Sequence, residues 1–230
     1  MKHANIEIRP HSRSLTVQRV LHLETLGLRH AIDVGASRGQ TGLSLRAAGY
    51  DGAIWSFEPL PDSFETLSAL ASRDPSWHVF RLGLGASNSL STLNISSNLV
   101  SSSVLPISTS HVKAAPGSGT VGEAVVECRT LDSLVRSNTL PDEPSFLKLD
   151  VQGYELQVLR GAGSSLKYGV ELIEVEMSLV ELYEGQPLVL EVWGFLEEAG
   201  FEPILLEDEF FDVENNRLLQ VNALFRRIRS

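Results

Sequence analysis

Apolar positions along this chain recur with two different periods. Over residues 12–26, Leu15, Val20, Leu21, Leu23 and Leu26 fall among polar residues at near-helical spacing, which predicts an introductory helix ending at Gly27. Beyond it, short apolar runs alternate with amphipathic stretches. Residues 31–34, 54–57, 79–82, 146–149, 170–177 and 203–206 read as strands, and 39–48, 62–72, 154–160 and 188–198 as helices. Strand alternating with helix predicts a parallel sheet covered on both faces, because parallel neighbours need a crossover that lays a helix on the sheet. The last apolar run, 218–225, follows the polar turn 214–217 only a few residues after the preceding strand. That gap is too short for a crossover helix, so this pair should be antiparallel.

One stretch breaks the pattern. Residues 94–122 carry eight serines with Pro106, Pro116, Gly117 and Gly119, and show little sustained periodicity. A loop this long in a compact domain is usually functional or disordered, so a mobile lid and a solvated excursion both fit. It does not separate two independently sized cores, and no internal repeat is visible. The expectation is one domain over residues 1–230, with 1–30 as a helical N-terminal extension.

Composition narrows the partners. The 230 residues are 43% hydrophobic and 21% charged, enough to bury a sizeable core. Nineteen Lys and Arg against 29 Asp and Glu give a net charge of −10, which repels a phosphate backbone, and basic residues cluster only at Arg226, Arg227 and Arg229. Nucleic acid is not an expected partner. Cys128 is the one cysteine and cannot form an internal disulfide. With no apolar leader and no long apolar run, a cytoplasmic protein without a membrane segment is expected. Association with further copies of itself is left open.

Candidate chemistry sits at the ends of the predicted strands. In Asp33-Val34-Gly35-Ala36-Ser37-Arg38-Gly39-Gln40 a strand runs into a glycine turn and the start of a helix. The glycines permit tight conformations and close ligand approach, and a helix amino terminus favours polar or anionic groups. A dinucleotide fingerprint needs glycine where Ser37 and Gln40 stand, which demotes a nicotinamide oxidoreductase. Glu58 ends the second strand, where a carboxylate can accept hydrogen bonds from both ribose hydroxyls. Taken alone, a glycine turn is common and a strand-end Asp often only caps a helix. Together the two features resemble the nucleoside-binding half of S-adenosylmethionine-dependent methyltransferases. The resemblance implies that Asp33, Gly35, Ala36, Ser37 and Gly39 form the loop around the methionine portion. It also implies that Glu58 holds the ribose and that Leu84, Gly85 and Ala86 lie near the adenine.

A second segment is more specific. Phe146-Leu147-Lys148-Leu149-Asp150-Val151-Gln152-Gly153-Tyr154-Glu155, followed by Val158-Leu159-Arg160-Gly161-Ala162, resembles the FkbM family of methyltransferases. The Asp33-Val34-Gly35-Ala36 loop, Phe57-Glu58-Pro59, Ser101-Ser102-Ser103 and Thr130-Leu131-Asp132-Ser133-Leu134 agree with it, from about residue 31 to the carboxyl end. The resemblance implies a doubly wound, Rossmann-like α/β fold of class I methyltransferase type, with a seven-stranded, mostly parallel sheet and an antiparallel last strand. It further implies S-adenosylmethionine as cofactor and methyl transfer to oxygen, often a hydroxyl of a sugar or secondary metabolite. The chain departs from the commonest family form at Gln152, where an acidic residue is frequent. No Asn/Asp-Pro-Pro-Tyr signature of nitrogen methylation is present.

Ligands of open parallel sheets lie beyond the carboxyl ends of the strands. Asp150 ends one strand, and Glu174 and Glu176 share a face of the next. Neighbouring strands are about 4.8 Å apart, so Asp150 and Glu176 can approach closely. Three readings compete. Mg²⁺ could be held by Asp150 and Glu176, with Glu174 or Gln152 in support, and bind a substrate hydroxyl. One carboxylate could serve as general base. Alternatively, Lys148 could neutralise Asp150 in a structural ion pair. His111, in the 94–122 stretch, is a further candidate base, against the ordinary reading of a solvated loop histidine. Cys128 and the three tryptophans read as packing residues, and Tyr183 either borders the acceptor or packs in the core. Carboxylates at the active edge would repel phosphorylated or carboxylated acceptors, which favours a neutral sugar or oligosaccharide enclosed by the 94–122 loop. A cofactor-binding regulatory or assembly protein without turnover is the alternative from another class.

Overall fold

The computed structural model describes residues 15–228. The expected introductory helix is present as α1 (Leu15–Leu26); residues 12–14 of that expectation lie outside the described residues. After it come β1 (His30–Val34), α2 (Gln40–Ala47), β2 (Ala53–Phe57), α3 (Pro61–Ala71), β3 (Trp77–Phe80), β4 (Gly83–Leu84), β5 (Ser89–Ser96), α4 (Thr109–Ala114) and β6 (Thr120–Arg129). The chain continues through α5 (Leu131–Arg136), β7 (Ser145–Leu149), α6 (Glu155–Arg160), α7 (Gly163–Tyr168), β8 (Val170–Ser178), α8 (Val189–Glu198), β9 (Phe201–Asp212) and β10 (Arg217–Arg227).

Seven strands form one sheet in the order β3-β2-β1-β7-β8-β10-β9. Strands β1, β2, β3, β7 and β8 are parallel, and β10 lies antiparallel between β8 and β9. Both faces are apolar, and alternate residues of each strand serve alternate faces. Ile32, Leu147, Ile173 and Val175 pack beneath α5 to α8, whereas Ala31, Ile54, Phe146 and Leu172 pack beneath α1 to α3.

The 94–122 stretch is neither a free lid nor a solvated excursion. It begins inside β5 and ends inside β6, which pair antiparallel; β4 joins β6 to make a second, three-stranded sheet. Between them, α4 is capped by the Ser108 hydroxyl, which accepts from the His111 backbone N–H. Ser103, Ser118 and His111 are buried, and Leu105, Ile107 and Ala114 pack against Leu182, Tyr183 and Leu219. Only one face of the small sheet is covered. Leu93, Val126 and Cys128 point inward with Leu60, while Leu90, Val121 and Val125 are exposed. That is why the apolar pattern there is irregular in the sequence.

Charge is buried on the α1 side of the large sheet. Arg19 of α1 reaches Glu174 of β8 with a two-pronged contact, Nε to Oε2 at 2.5 Å and Nη2 to Oε1 at 2.6 Å. Glu174 is fully buried and Arg19 nearly so. The planar guanidinium satisfies both carboxylate oxygens at once, so the pair fixes α1 against the sheet. Removing one partner leaves an uncompensated buried charge: Arg19→Leu should cost about 3–5 kcal/mol of unfolding free energy. The double variant Arg19→Leu/Glu174→Leu should recover most of it, as measured by chemical denaturation. Equal losses for the single and double variants would show that the pair does not act as a unit.

Candidate active site

A cavity of about 460 Å³ opens at the carboxyl ends of β1, β2, β7 and β8. Its first wall is the turn after β1. Gly35 and Gly39 adopt φ of 79° and 92°, and Ser37 is also left-handed at 48°. Gly35 is needed for a reason the sequence did not reveal. A Cβ there would sit 1.9 Å from the Asp150 carbonyl oxygen, so this glycine lets the first turn lie against the end of β7. Gly35 lines the cavity as expected, whereas Gly39 is packed away from it, where a Cβ would meet Leu67 and Trp77. Ala36 and Ser37 do line it, with Gln40 and Thr41.

Glu58 faces the cavity from the end of β2 and is 6% exposed. Its Oε2 accepts from the Ser37 N–H at 2.9 Å and its Oε1 from the Leu60 N–H at 2.8 Å. Each oxygen therefore keeps lone-pair capacity for one more donor, the requirement for holding two vicinal hydroxyls. Burial pushes the carboxyl up to about 7, against the two backbone N–H bonds that favour its anion. Asp33 is placed differently from the expectation. It is 1% exposed, receives the Ser56 hydroxyl at 3.2 Å and lies under the site rather than in its wall; burial raises its carboxyl to about 6.

Leu84 lines the cavity as expected, but Gly85 and Ala86 do not. Gly85 turns its carbonyl to α6, where a Cβ on Gly161 would come within 2.0 Å of it. The apolar wall beside Leu84 comes instead from Leu60, Leu93, Val126, Cys128 and Tyr154, most of it from the small sheet and its neighbourhood. Sequence reasoning missed this wall because β5 and β6 carried no regular pattern.

The second wall holds the expected carboxylates. Asp150, Gln152 and Glu176 line the cavity, and Glu209, Phe210 and Gln220 join them from the β9–β10 hairpin. Lys148 lies beneath, its Nζ 3.3 Å from Asp150 Oδ2. Burial disfavours its charge, but Asp150, Glu174, Glu176 and Asp33 together outweigh that and raise its pKa. Gln152 donates through Nε2 to Asp150 Oδ1 at 2.8 Å and to Glu176 Oε2 at 3.1 Å. Gln220 donates to the same Glu176 oxygen at 2.6 Å. Burial, reinforced by Asp150 and Glu155, pushes Glu176 well above the usual carboxylate range.

The proposed metal set is not assembled. Glu174 shares a strand face with Glu176 as expected, but both its oxygens are taken by Arg19 and it does not reach the cavity. Gln152 presents its N–H groups, not its oxygen, to the carboxylates, and Lys148 already supplies positive charge beside Asp150. Among the described residues no group of three or more His, Cys, Asp or Glu is arranged to hold an ion. These donors do not fit a resident Mg²⁺.

His111 does reach the cavity wall, but not as a loose loop residue. Its ring is 4% exposed, meets Tyr183 edge-on at 5.1 Å and lies 5.7 Å from Phe210. Burial disfavours its charged form and lowers its pKa, and the ring packs the loop down. Tyr183 is fully buried behind Gln152 rather than bordering the cavity.

A glycine turn after β1, a buried carboxylate after β2 and a seven-stranded sheet with β10 antiparallel define the class I methyltransferase fold. Structural likeness agrees at the level of fold. A protein assigned as an S-adenosylmethionine-dependent methyltransferase from Listeria monocytogenes superposes with a TM-score of 0.50 at 6% identity, over 93% of this chain and 98% of that one. Fibrillarin in its complex with Nop5p gives 0.51 at 10% identity, over 88% and 74%. The methyltransferase FkbM domain matches residues 33–203, and the chain belongs to that family. It is also 29% identical over 133 residues to the hexuronic acid methyltransferase AglP of Haloferax volcanii, a match covering 57% of this chain. The chain spans about half the length of that relative, 48%. No helix among the described residues is long and apolar enough to cross a membrane.

Two outcomes test the first wall. Glu58→Ala should weaken S-adenosylmethionine binding by about 1.5–3 kcal/mol, roughly ten- to a hundredfold, because it removes hydrogen bonds to a charged group. Calorimetry on the folded variant decides, and unchanged affinity would refute the assignment. A ribose held by Glu58 would bind best to the ionised carboxylate, so affinity should also fall as pH drops through about 7, and Glu58→Gln should flatten that dependence.

Proposed function

We propose that this chain transfers the methyl group of S-adenosylmethionine to a hydroxyl of a small neutral acceptor, a sugar or oligosaccharide. The observation that carries the reading is the state of Glu176. Its Oε2 is fixed by two amide donors, whereas its Oε1 receives no hydrogen bond from the described residues. A buried carboxylate whose pKa is raised, and whose free oxygen stands at a cavity wall, suits a general base. Asp150, paired with Lys148, serves as an acceptor for a second hydroxyl.

The chemistry is then an in-line displacement. Glu176 takes the hydroxyl proton as the acceptor oxygen attacks the methyl carbon. S-adenosylmethionine, when bound, would supply the methyl group, its carbon–sulfur pair returning to sulfur to give neutral S-adenosylhomocysteine. The protein contributes alignment and a place for the proton. Ser101 and Ser102 line the cavity from the loop between β5 and α4, which supports enclosure of the acceptor by that segment.

The name of the Haloferax relative supports a sugar acceptor, but the hexuronic acid it names is a carboxylated sugar and does not support a neutral one. The charge of the acceptor is a separate matter. Asp150, Glu176 and Glu209 share the acceptor side, so a carboxylate-bearing sugar would meet like charge there. With labelled S-adenosylmethionine and a panel of neutral hexosides, hexosaminides and hexuronides, transfer to a neutral member should exceed transfer to its uronic counterpart by about tenfold or more. A preference for the hexuronide, or for protein or nucleic acid over every glycan, would sink the acceptor assignment. Tight cofactor binding with transfer to nothing would favour a regulatory role instead.

A further inference from the structure

Gln152 is held harder than a residue of its type at a turn requires. Its backbone is left-handed at φ 54°, a conformation that residues with a side chain rarely adopt. The strain is offset locally. The Ser103 hydroxyl donates to the Gln152 carbonyl at 2.6 Å, and the flanking Val151 and Gly153 N–H groups both donate to Glu155 Oε1, at 3.0 and 3.2 Å. The side chain is fixed at both ends as well. Its Nε2 donates to Asp150 and to Glu176, and its Oε1 accepts from the Tyr183 hydroxyl at 2.6 Å. The two carboxylate contacts favour this orientation of the amide, because turned over its oxygen would face two carboxylate groups.

Two carboxylates converging in a partly dry cleft need something positive between them. A divalent cation is one solution, and a neutral group with two polarised N–H bonds is another. We propose that the Gln152 amide occupies the place a bridging cation would take, so that Asp150 and Glu176 form a self-contained, metal-independent pair. In this role Gln152 is a positioning residue. It holds Glu176 so that Oε1 stays open to the acceptor, and through Ser103 and Tyr183 it ties that geometry to the loop between β5 and α4. The role of Glu176 rests on the function proposed above, whereas the bridge itself does not.

The arrangement opposes a cation in three ways. One oxygen of each carboxylate is already spent on the amide, Asp150 Oδ2 faces the Lys148 ammonium, and a dication between the carboxylates would have to displace Gln152 against Tyr183. Mg²⁺ and Mn²⁺ require oxygen donors in near-octahedral order, which this set does not present.

The test uses the full chain, ¹⁵N-labelled and saturated with S-adenosylmethionine, and needs no acceptor. The Gln152 side-chain amide resonances should stay sharp when equimolar Mn²⁺ is added, and should shift in Glu176→Gln, which removes one charged acceptor. Gln152→Glu supplies the missing oxygen ligand and should bind Mn²⁺ at least about tenfold more tightly than the parent by calorimetry. Broadening of the Gln152 amide by substoichiometric Mn²⁺ in the parent protein would overturn the proposal. So would a Gln152→Glu variant that binds S-adenosylmethionine normally yet takes up Mn²⁺ no better. Cofactor affinity, read in every variant, separates failure of this proposal from failure of the methyltransferase reading.

Discussion

Everything at the carboxyl edge of this sheet depends on how buried charge is balanced on one of its faces. Asp33, Lys148, Asp150, Glu174 and Glu176 stand on three adjacent strands, with the sheet register setting Asp33 beside Lys148 and Lys148 beside Glu174. Four carboxylates cannot be taken out of water together without compensation. Arg19 neutralises Glu174 from α1, and Lys148 stays charged because the carboxylates around it outweigh the cost of its burial. What remains is a surplus of negative charge, and it faces the cavity. The amides of Gln152 and Gln220 moderate it without neutralising it. A cofactor that arrives with a positive sulfonium and departs neutral is suited to such a surface, since the attraction is strongest before transfer.

Backbone approach is the second constraint. The first turn can reach the end of β7 only because Gly35 has no side chain, and β4 can reach α6 only because Gly161 has none. These contacts bring the Glu58 wall and the Asp150 wall to opposite sides of one cavity. The small sheet then closes the apolar side with Leu93, Val126 and Cys128, and the segment between β5 and β6 lines the cavity, held by His111 packing on Tyr183. The walls of the cavity are thus built from different parts of the chain.

The parallel strands were legible because burial on both faces leaves continuous apolar runs, and α2, α3, α6 and α8 because their apolar stripes are regular, whereas the short α5 and α7 were not. Glu58, Asp150 and Glu176 were legible as carboxylates at strand ends. Three features were not, each for a physical reason. Leu93, Val126 and Cys128 belong to a sheet covered on one side only, and its exposed Leu90 and Val125 blur the alternation that would have announced it. Glu209 lies where β9 outruns its apolar part, so the predicted strand stops at residue 206 although it continues to Asp212. The Arg19–Glu174 pair joins residues 155 apart in sequence, and no local pattern encodes such a contact. Because that pairing was invisible, Glu174 read as available for a metal. The fold of the 94–122 stretch depends on contacts of the same long-range kind, from Ser103 to Gln152 and from Tyr183 to Ser101.

The central claim is that Glu176 takes the acceptor proton at a site whose cofactor contacts lie elsewhere. Single-turnover methyl transfer by Glu176→Gln, with an acceptor that the parent protein methylates, tests it most directly when S-adenosylmethionine affinity is measured on the same sample. General-base catalysis typically contributes about 10²–10⁴-fold, so transfer should slow by at least about a hundredfold while cofactor Kd stays within about twofold. Transfer at the parent rate by a variant that binds cofactor normally would contradict the account.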